Sequence, residues 1–199
     1  MSKVLVDTID TRSGTSTMQI GSTNTTTINL GVSGDTINIP SGVTIANAGT
    51  ATGFGGTPNF LVYVNASQTI TDDTATKINF DTEVYDSDSA YNTTDKRFVV
   101  PSGAAGKYAI FADVSCDSQA DANLDYAYVY IYKNGSNIRQ SGIDFRNNFG
   151  RRNFCHIYSV EDLAVSDYIE IFVLTFDNSG SAIVTGGTAN SRFMMWKIT

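Results

Sequence analysis

Charged side chains are scarce. Asp, Glu, Lys and Arg make up 17% of the 199 residues, against roughly a quarter in an average globular protein, and Thr, Ser, Asn and Gly fill the surface quota instead. Cations are scarcer still, 13 against 20 anions, for a net charge of −7 and an isoelectric point near 4.5. With no basic run there is no excess of cations to displace counterions from phosphates, so nucleic acid is excluded as an expected partner. Histidine occurs once, at His156, which leaves multi-histidine metal centres and a His-based triad poorly supplied. No Gly-x-Ser-x-Gly, phosphate loop or Cys-x-x-Cys occurs. The two cysteines, Cys116 and Cys155, lie in alternating segments, where a free thiol behaves as a small buried hydrophobe. The opening Met1-Ser2-Lys3-Val4-Leu5-Val6-Asp7 lacks the apolar stretch of a secretory signal or membrane span. Synthesis in a cytosol without membrane insertion is the expectation.

What is present falls into two regions of different physics. Residues 11–56 hold two charged side chains, Arg12 and Asp35, and one aromatic, Phe54, so they have little with which to build a core. They do hold a repeat: Met18-Gln19-Ile20-Gly21, Ile28-Asn29-Leu30-Gly31 and Ile37-Asn38-Ile39-Pro40, preceded by Thr17, Thr27 and Thr36 at spacings of ten and nine residues. Apolar residues at i and i+2 have the period of a strand with one buried face, and Gly, Pro and Ser then turn the chain. Two apolar side chains per strand do not offset an ordering entropy of ~1–2 kcal/mol per residue. Repeat units need neighbours to cover their face, and other copies of the chain, winding about one axis, would supply them. Met18, Ile20, Ile28, Leu30, Ile37 and Ile39 are the expected stem core; a Ser/Thr/Gly tail without structure is the alternative. The expected boundaries are a stem over 1–48, a glycine-rich hinge over 49–57 and a head over 58–199.

From Phe60 onward, aromatic and β-branched residues alternate with polar ones in short runs: Phe60–Val64, Thr76–Tyr85, Phe98–Pro101, Tyr108–Cys116, Ala127–Lys133, Asn137–Ser141, Phe154–Val160, Tyr168–Phe176 and Arg192–Ile198. Lys133-Asn134-Gly135-Ser136 predicts a hairpin, because Asn-Gly readily takes the positive φ values of a type I′ turn. No long window keeps a 3.6-residue period, so helices are not expected. The fold class expected is all-β, a β-repeat stem followed by a jelly-roll sandwich.

Tyr91-Asn92, Phe98, Pro101 and Gly106-Lys107-Tyr108, with Ile78-Asn79-Phe80-Asp81, Lys133-Asn134-Gly135 and Leu163-Ala164-Val165-Ser166-Asp167-Tyr168-Ile169-Glu170-Ile171, resemble the globular heads of complement's first component, relatives of tumour necrosis factor. Phe193 stands where that family's last strand carries its phenylalanine. The resemblance covers about residues 58–199 and implies a ten-stranded jelly roll that forms a homotrimer. Two positions depart from it: Ser166 replaces the usual Gly before Asp167, and Met194-Met195-Trp196 replaces a small Gly. Residues 1–56, from Val6-Asp7-Thr8-Ile9-Asp10-Thr11-Arg12 through Gly42-Val43-Thr44-Ile45, resemble the N-terminal module of structural proteins of tailed phages of marine bacteria and cyanobacteria.

Together these imply a non-enzymatic homotrimer on a virion's outer surface, a capsid decoration or fibre protein held to other virion proteins by its stem, its head facing a host glycan or protein. A carbohydrate-binding tail-fibre or adhesin module is the alternative. Tyr126, Tyr128, Tyr130 and Tyr132 recur every second residue and share one strand face. With Phe193, they form either an inter-subunit wall or a ligand platform. Arg146, Arg151 and Arg152 are the candidate surface-recognition cluster. No cofactor is expected. Asp121, Asn123 and Asp125 have the alternate oxygens of a calcium loop, but Tyr126 sits where its glycine belongs and Tyr132 where its bidentate Glu belongs.

Overall fold

The computed structural model describes residues 20, 27, 28, 30, 35–41, 43, 57–146 and 149–198. The chain divides into two units, Met1–Thr50 and Ala51–Thr199. In the first, no described residue lies in a strand; a turn closes where the Val43 amide donates to the Pro40 carbonyl at 3.2 Å. The apolar side chains expected to form a stem core, Ile20, Ile28, Leu30, Ile37 and Ile39, are 45–62% exposed. The single chain thus does not bury them. Met18 and the hinge residues 49–56 lie outside the described residues.

The second unit is a two-sheet sandwich of thirteen strands: β1 (Asn59–Tyr63), β2 (Gln68–Thr69), β3 (Thr76–Lys77), β4 (Thr82–Asp86), β5 (Tyr91–Asn92), β6 (Arg97–Val99), β7 (Gly106–Asp117), β8 (Leu124–Lys133), β9 (Ser136–Asp144), β10 (Arg152–Leu163), β11 (Tyr168–Asp177), β12 (Ile183–Val184) and β13 (Arg192–Lys197). No helix occurs among the described residues. Every run expected from alternation contains a strand. The two-residue strands β2, β5 and β12 were not expected, because two residues carry no readable period.

One sheet, sheet A, runs β2-β12-β7-β13-β1-β4, with β10 on the free side of β7; sheet B runs β5-β6-β11-β8-β9, with β3 also pairing β11. The backbone of sheet A is β7, paired along its whole length to β10, while its other edge takes β13 over Tyr108–Asp113 and β12 over Cys116–Asp117. All ladders are antiparallel. Asn134 (φ 52°) and Gly135 (φ 77°) close the β8–β9 hairpin between the paired residues Lys133 and Ser136, the left-handed pair that a type I′ turn requires.

The core between the sheets is aromatic at its centre. Phe60 lies 5.0 Å from the rings of both Tyr91 and Phe193 and 5.4 Å from Phe98, spacings at which ring quadrupoles attract. The buried tyrosines keep their hydroxyls bonded, Tyr91 to the Phe80 carbonyl at 3.0 Å and Tyr108 to that of Ala104 at 2.6 Å. Phe193 is 1% exposed in the middle of this cluster, so its assignment to a surface wall or platform is corrected: it is a core residue, because β13 turns its odd positions inward. Cys116 and Cys155 are free and buried; their mutual hydrogen-bonding contact, with burial, pushes the Cys116 thiol up.

Candidate functional site: the outer face of sheet A

Directly opposed residues of antiparallel strands project to the same face, so the register can be read straight across sheet A. Tyr158 of β10 pairs with Phe111 of β7, Phe111 with Met194 of β13, Met194 with Leu61 of β1, and Leu61 with Tyr85 of β4. One apolar row therefore crosses five strands on the side away from the core. Phe111 stacks on Trp196 at 5.3 Å with planes 10° apart, and on Tyr158 at 6.1 Å. Tyr158 is 63% exposed and Val160 61%; Val84, Tyr85, Phe111, Phe154 and Trp196 are exposed as well. Scattered surface hydrophobes are ordinary, but a contiguous apolar row marks a candidate binding face.

The neighbouring row is polar. His156 of β10 pairs with Asp113 of β7, and Asp113 with Arg192 of β13. The His156 Nδ1 lies 2.7 Å from Asp113 Oδ1, both side chains being largely exposed. The only histidine thus sits on this open face, opposite Cys155 as the strand alternation predicts.

The tyrosine row lies on the other sheet. Tyr126, Tyr128, Tyr130 and Tyr132 share the outer face of β8, opposite Phe176, Leu174, Phe172 and Glu170 of β11. All four tyrosines are half-buried among one another and their neighbours. Rings pair at 5.5 Å (Tyr126–Phe176) and 4.2 Å (Tyr132–Phe172). The Tyr126 hydroxyl donates to Asp73 at 2.6 Å; burial, then that bond and the charges of Asp73, Asp72 and Asp125, raise its pKa.

The arginines are already engaged. Arg152 grips Asp117 Oδ2 through Nη2 at 2.7 Å and Nε at 3.0 Å, and Arg151 reaches Asp117 at 3.6 Å and Asp121 at 3.5 Å. Burial alone would raise the Asp117 carboxyl, but the Gln119 amide, the Arg152 guanidinium and the Arg151 charge outweigh it and hold it below the usual range. Arg146, paired to Asp144 at 3.6 Å, is the most exposed of the three. Arg151 and Arg152 therefore brace a buried carboxylate instead of presenting two free cations.

The candidate calcium residues stand in different settings. Asp121 is open to solvent, while Asn123 turns inward and bridges to Ser179, accepting from its amide at 3.0 Å and donating to its carbonyl at 2.8 Å. No group of three or more His, Cys, Asp or Glu is placed to hold a metal ion among the described residues. The buried carboxylate that sequence reasoning missed is Asp177, at the end of β11: it is 3% exposed, and neither oxygen has a partner. Burial, then the charges of Asp72 and Asp117, push it up to about 6.

No protein-family model matches the chain, and no curated protein matches it. Solved structures share its fold. The globular domain of zebrafish complement 1qA superposes with a TM-score of 0.51 at 13% identity, over 71% of this chain and 98% of that one. Murine APRIL does so with a TM-score of 0.52 at 12% identity, over 70% and 99% respectively. The head thus has the jelly-roll fold of complement- and tumour-necrosis-factor-like domains.

Proposed function

We propose that this chain is a non-enzymatic surface protein that works as a homotrimer, its heads joined through the outer face of sheet A. The observation that carries this reading is the row Tyr158–Phe111–Met194–Leu61–Tyr85 with Trp196 and Val160 beside it. Left in water, such a row forgoes ~1.5–3 kcal/mol for each large side chain that a partner would cover, and a closed ring of identical copies covers it without leaving an open edge. The number three comes from the resemblance of residues 58–199 to complement-type heads. The exposed stem side chains fit the same scheme, since Ile28, Leu30, Ile37 and Ile39 need cover that one chain does not provide. Given the likeness of residues 1–56 to phage structural modules, we place the stem against a virion and the head outward, as in a capsid decoration or fibre protein.

Light scattering on the purified full chain tests the central claim. The expected mass is three times the 21.4 kDa of one chain. Replacing Phe111, Tyr158 and Trp196 with Ser should bring it down to one chain while leaving the β spectrum intact, because these side chains point away from the core. A wild-type mass of a single chain at micromolar concentration would end the proposal.

A further inference from the structure

The outer face of sheet B is unlike that of sheet A. Along β8 and β11 it carries Tyr126, Tyr128, Tyr130, Tyr132, Phe172 and Phe176, interrupted by Leu174 and closed at one end by Glu170. Glu170 is tied to Lys77 at 2.8 Å. Four tyrosines at every second residue span ~20 Å of strand, at ~3.4 Å per residue.

One side chain of this row sits close against the edge strand. Tyr128 pairs with Gly142 on the edge strand β9, and a Cβ built on Gly142 would fall 2.4 Å from Tyr128 Cδ1. The absent side chain is therefore what lets the Tyr128 side chain approach β9 so closely. Next to it, Gln140 is paired with Tyr130, projects to the same side and is exposed. At the Tyr126 end stands Asp73, whose Oδ1 accepts that hydroxyl's hydrogen bond at 2.6 Å.

We propose that this face is a binding platform for a neutral polysaccharide chain, with Tyr128 and Tyr130 under the sugar rings and Gln140 and Asp73 bonding to hydroxyls at the rim. Sugars present C–H faces that pack on aromatic rings and hydroxyls that donate to carboxylates and amides, and this surface offers both along one line. Charge selects among occupants. The rim holds Asp72 and Asp73 beside Tyr126, and the neighbouring cations are paired, Lys77 with Glu170 and Arg146 with Asp144, so an anionic polymer would bring like charges together. A neutral hydroxylated chain meets no such penalty. The platform is on the opposite sheet from the proposed trimer face, so a trimer would present three of them, and weak single-site binding would be amplified by avidity.

Affinity electrophoresis of the native full-length protein through gels containing hydroxyethyl cellulose, glucomannan, laminarin or dextran, with alginate as the anionic arm, tests this. Retardation by at least one neutral polymer is expected, and replacing Tyr128 and Tyr130 with Ala should weaken it about tenfold with no change in mass by light scattering. Gln140→Ala with Asp73→Asn, both on the open rim, should weaken it about threefold and covers the case in which the tyrosine variant does not fold. No retardation in any neutral gel, retardation in alginate alone, or unaltered retardation of the rim variant would overturn the proposal. A fall in oligomer mass in the tyrosine variant would also overturn it, by showing that the face is a contact between copies. The trimer claim stands or falls separately, on the wild-type mass.

Discussion

Replacing Asp177 with Asn should stabilise the protein at neutral pH and not in acid. The carboxylate is 3% exposed with both oxygens unpartnered, and Asp72 and Asp117 face it, which is why its pKa stands at about 6 against ~3.9 for a solvated Asp. A group held above its unfolded value binds its proton more tightly in the folded state. Its contribution is therefore fully present below pH ~3.9 and is lost as pH rises through about 6. Two pH units at ~1.4 kcal/mol each set an upper bound of ~3 kcal/mol for the cost at pH 7.5. An asparagine carries no charge and offers N–H donors to the two neighbouring carboxylates, but part of the gain is offset by burying an imperfectly bonded amide at ~1–3 kcal/mol. A net gain of up to ~2 kcal/mol at pH 7.5 follows, at ~2–4 °C per kcal/mol in melting temperature for a chain of this size. Melting of both proteins at pH 4.5 and 7.5, at one fixed protein concentration, is the assay, and the difference between them cancels every other titrating group. A pH-independent difference, or a variant less stable at pH 7.5, would refute the reasoning.

Other outcomes follow from local geometry. Ser166 sits at φ 70°, where an L side chain costs ~1–2 kcal/mol, so Ser166→Gly should raise the melting temperature; a decrease would show that its side chain contributes more than its backbone strain costs. Gly142→Ala should destabilise the head, since the new Cβ would meet the Ala127 carbonyl oxygen at 2.4 Å and Tyr128 Cα at 2.7 Å; unchanged urea midpoints would show that β9 moves aside freely. Asp167 accepts from Lys133 Nζ at 2.9 Å, Asn134 Nδ2 at 2.8 Å and the Ala164 amide at 2.9 Å, and these donors, Lys133 first, pull it down to about 2. Its stabilisation is thus present above pH ~3.9 and lost as pH falls through about 2. Asp167→Asn should cost ~1–2 kcal/mol at pH 7, by chemical denaturation, and a smaller loss at pH 2.5. Replacing Ile28, Leu30, Ile37 and Ile39 with Ser should leave the head's melting unchanged while lowering oligomer stability or particle occupancy; unchanged assembly would make the stem a passive tether.

Much of the head is written in local pattern. Strand alternation depends on neighbours two residues apart, so β1, β7, β8, β10, β11 and β13 could be read without knowing what they pair with, and Asn134-Gly135 marks the β8–β9 turn by its backbone chemistry alone. Ser166 stands where the resemblance to complement-type heads puts a glycine, and its φ of 70° supplies the physical reason for that glycine. Pairing, however, is a long-range property. Tyr158, Phe111, Met194, Leu61 and Tyr85 are separated along the chain and form one row only because β10, β7, β13, β1 and β4 lie side by side in a particular register. The same assembly turns Phe193 into the core, commits Arg151 and Arg152 to Asp117, and leaves Asp177 buried without a partner. Alternation states that a strand has two faces; which face meets the opposite sheet, and which is left bare for a partner, is decided by the packing of strands distant in sequence.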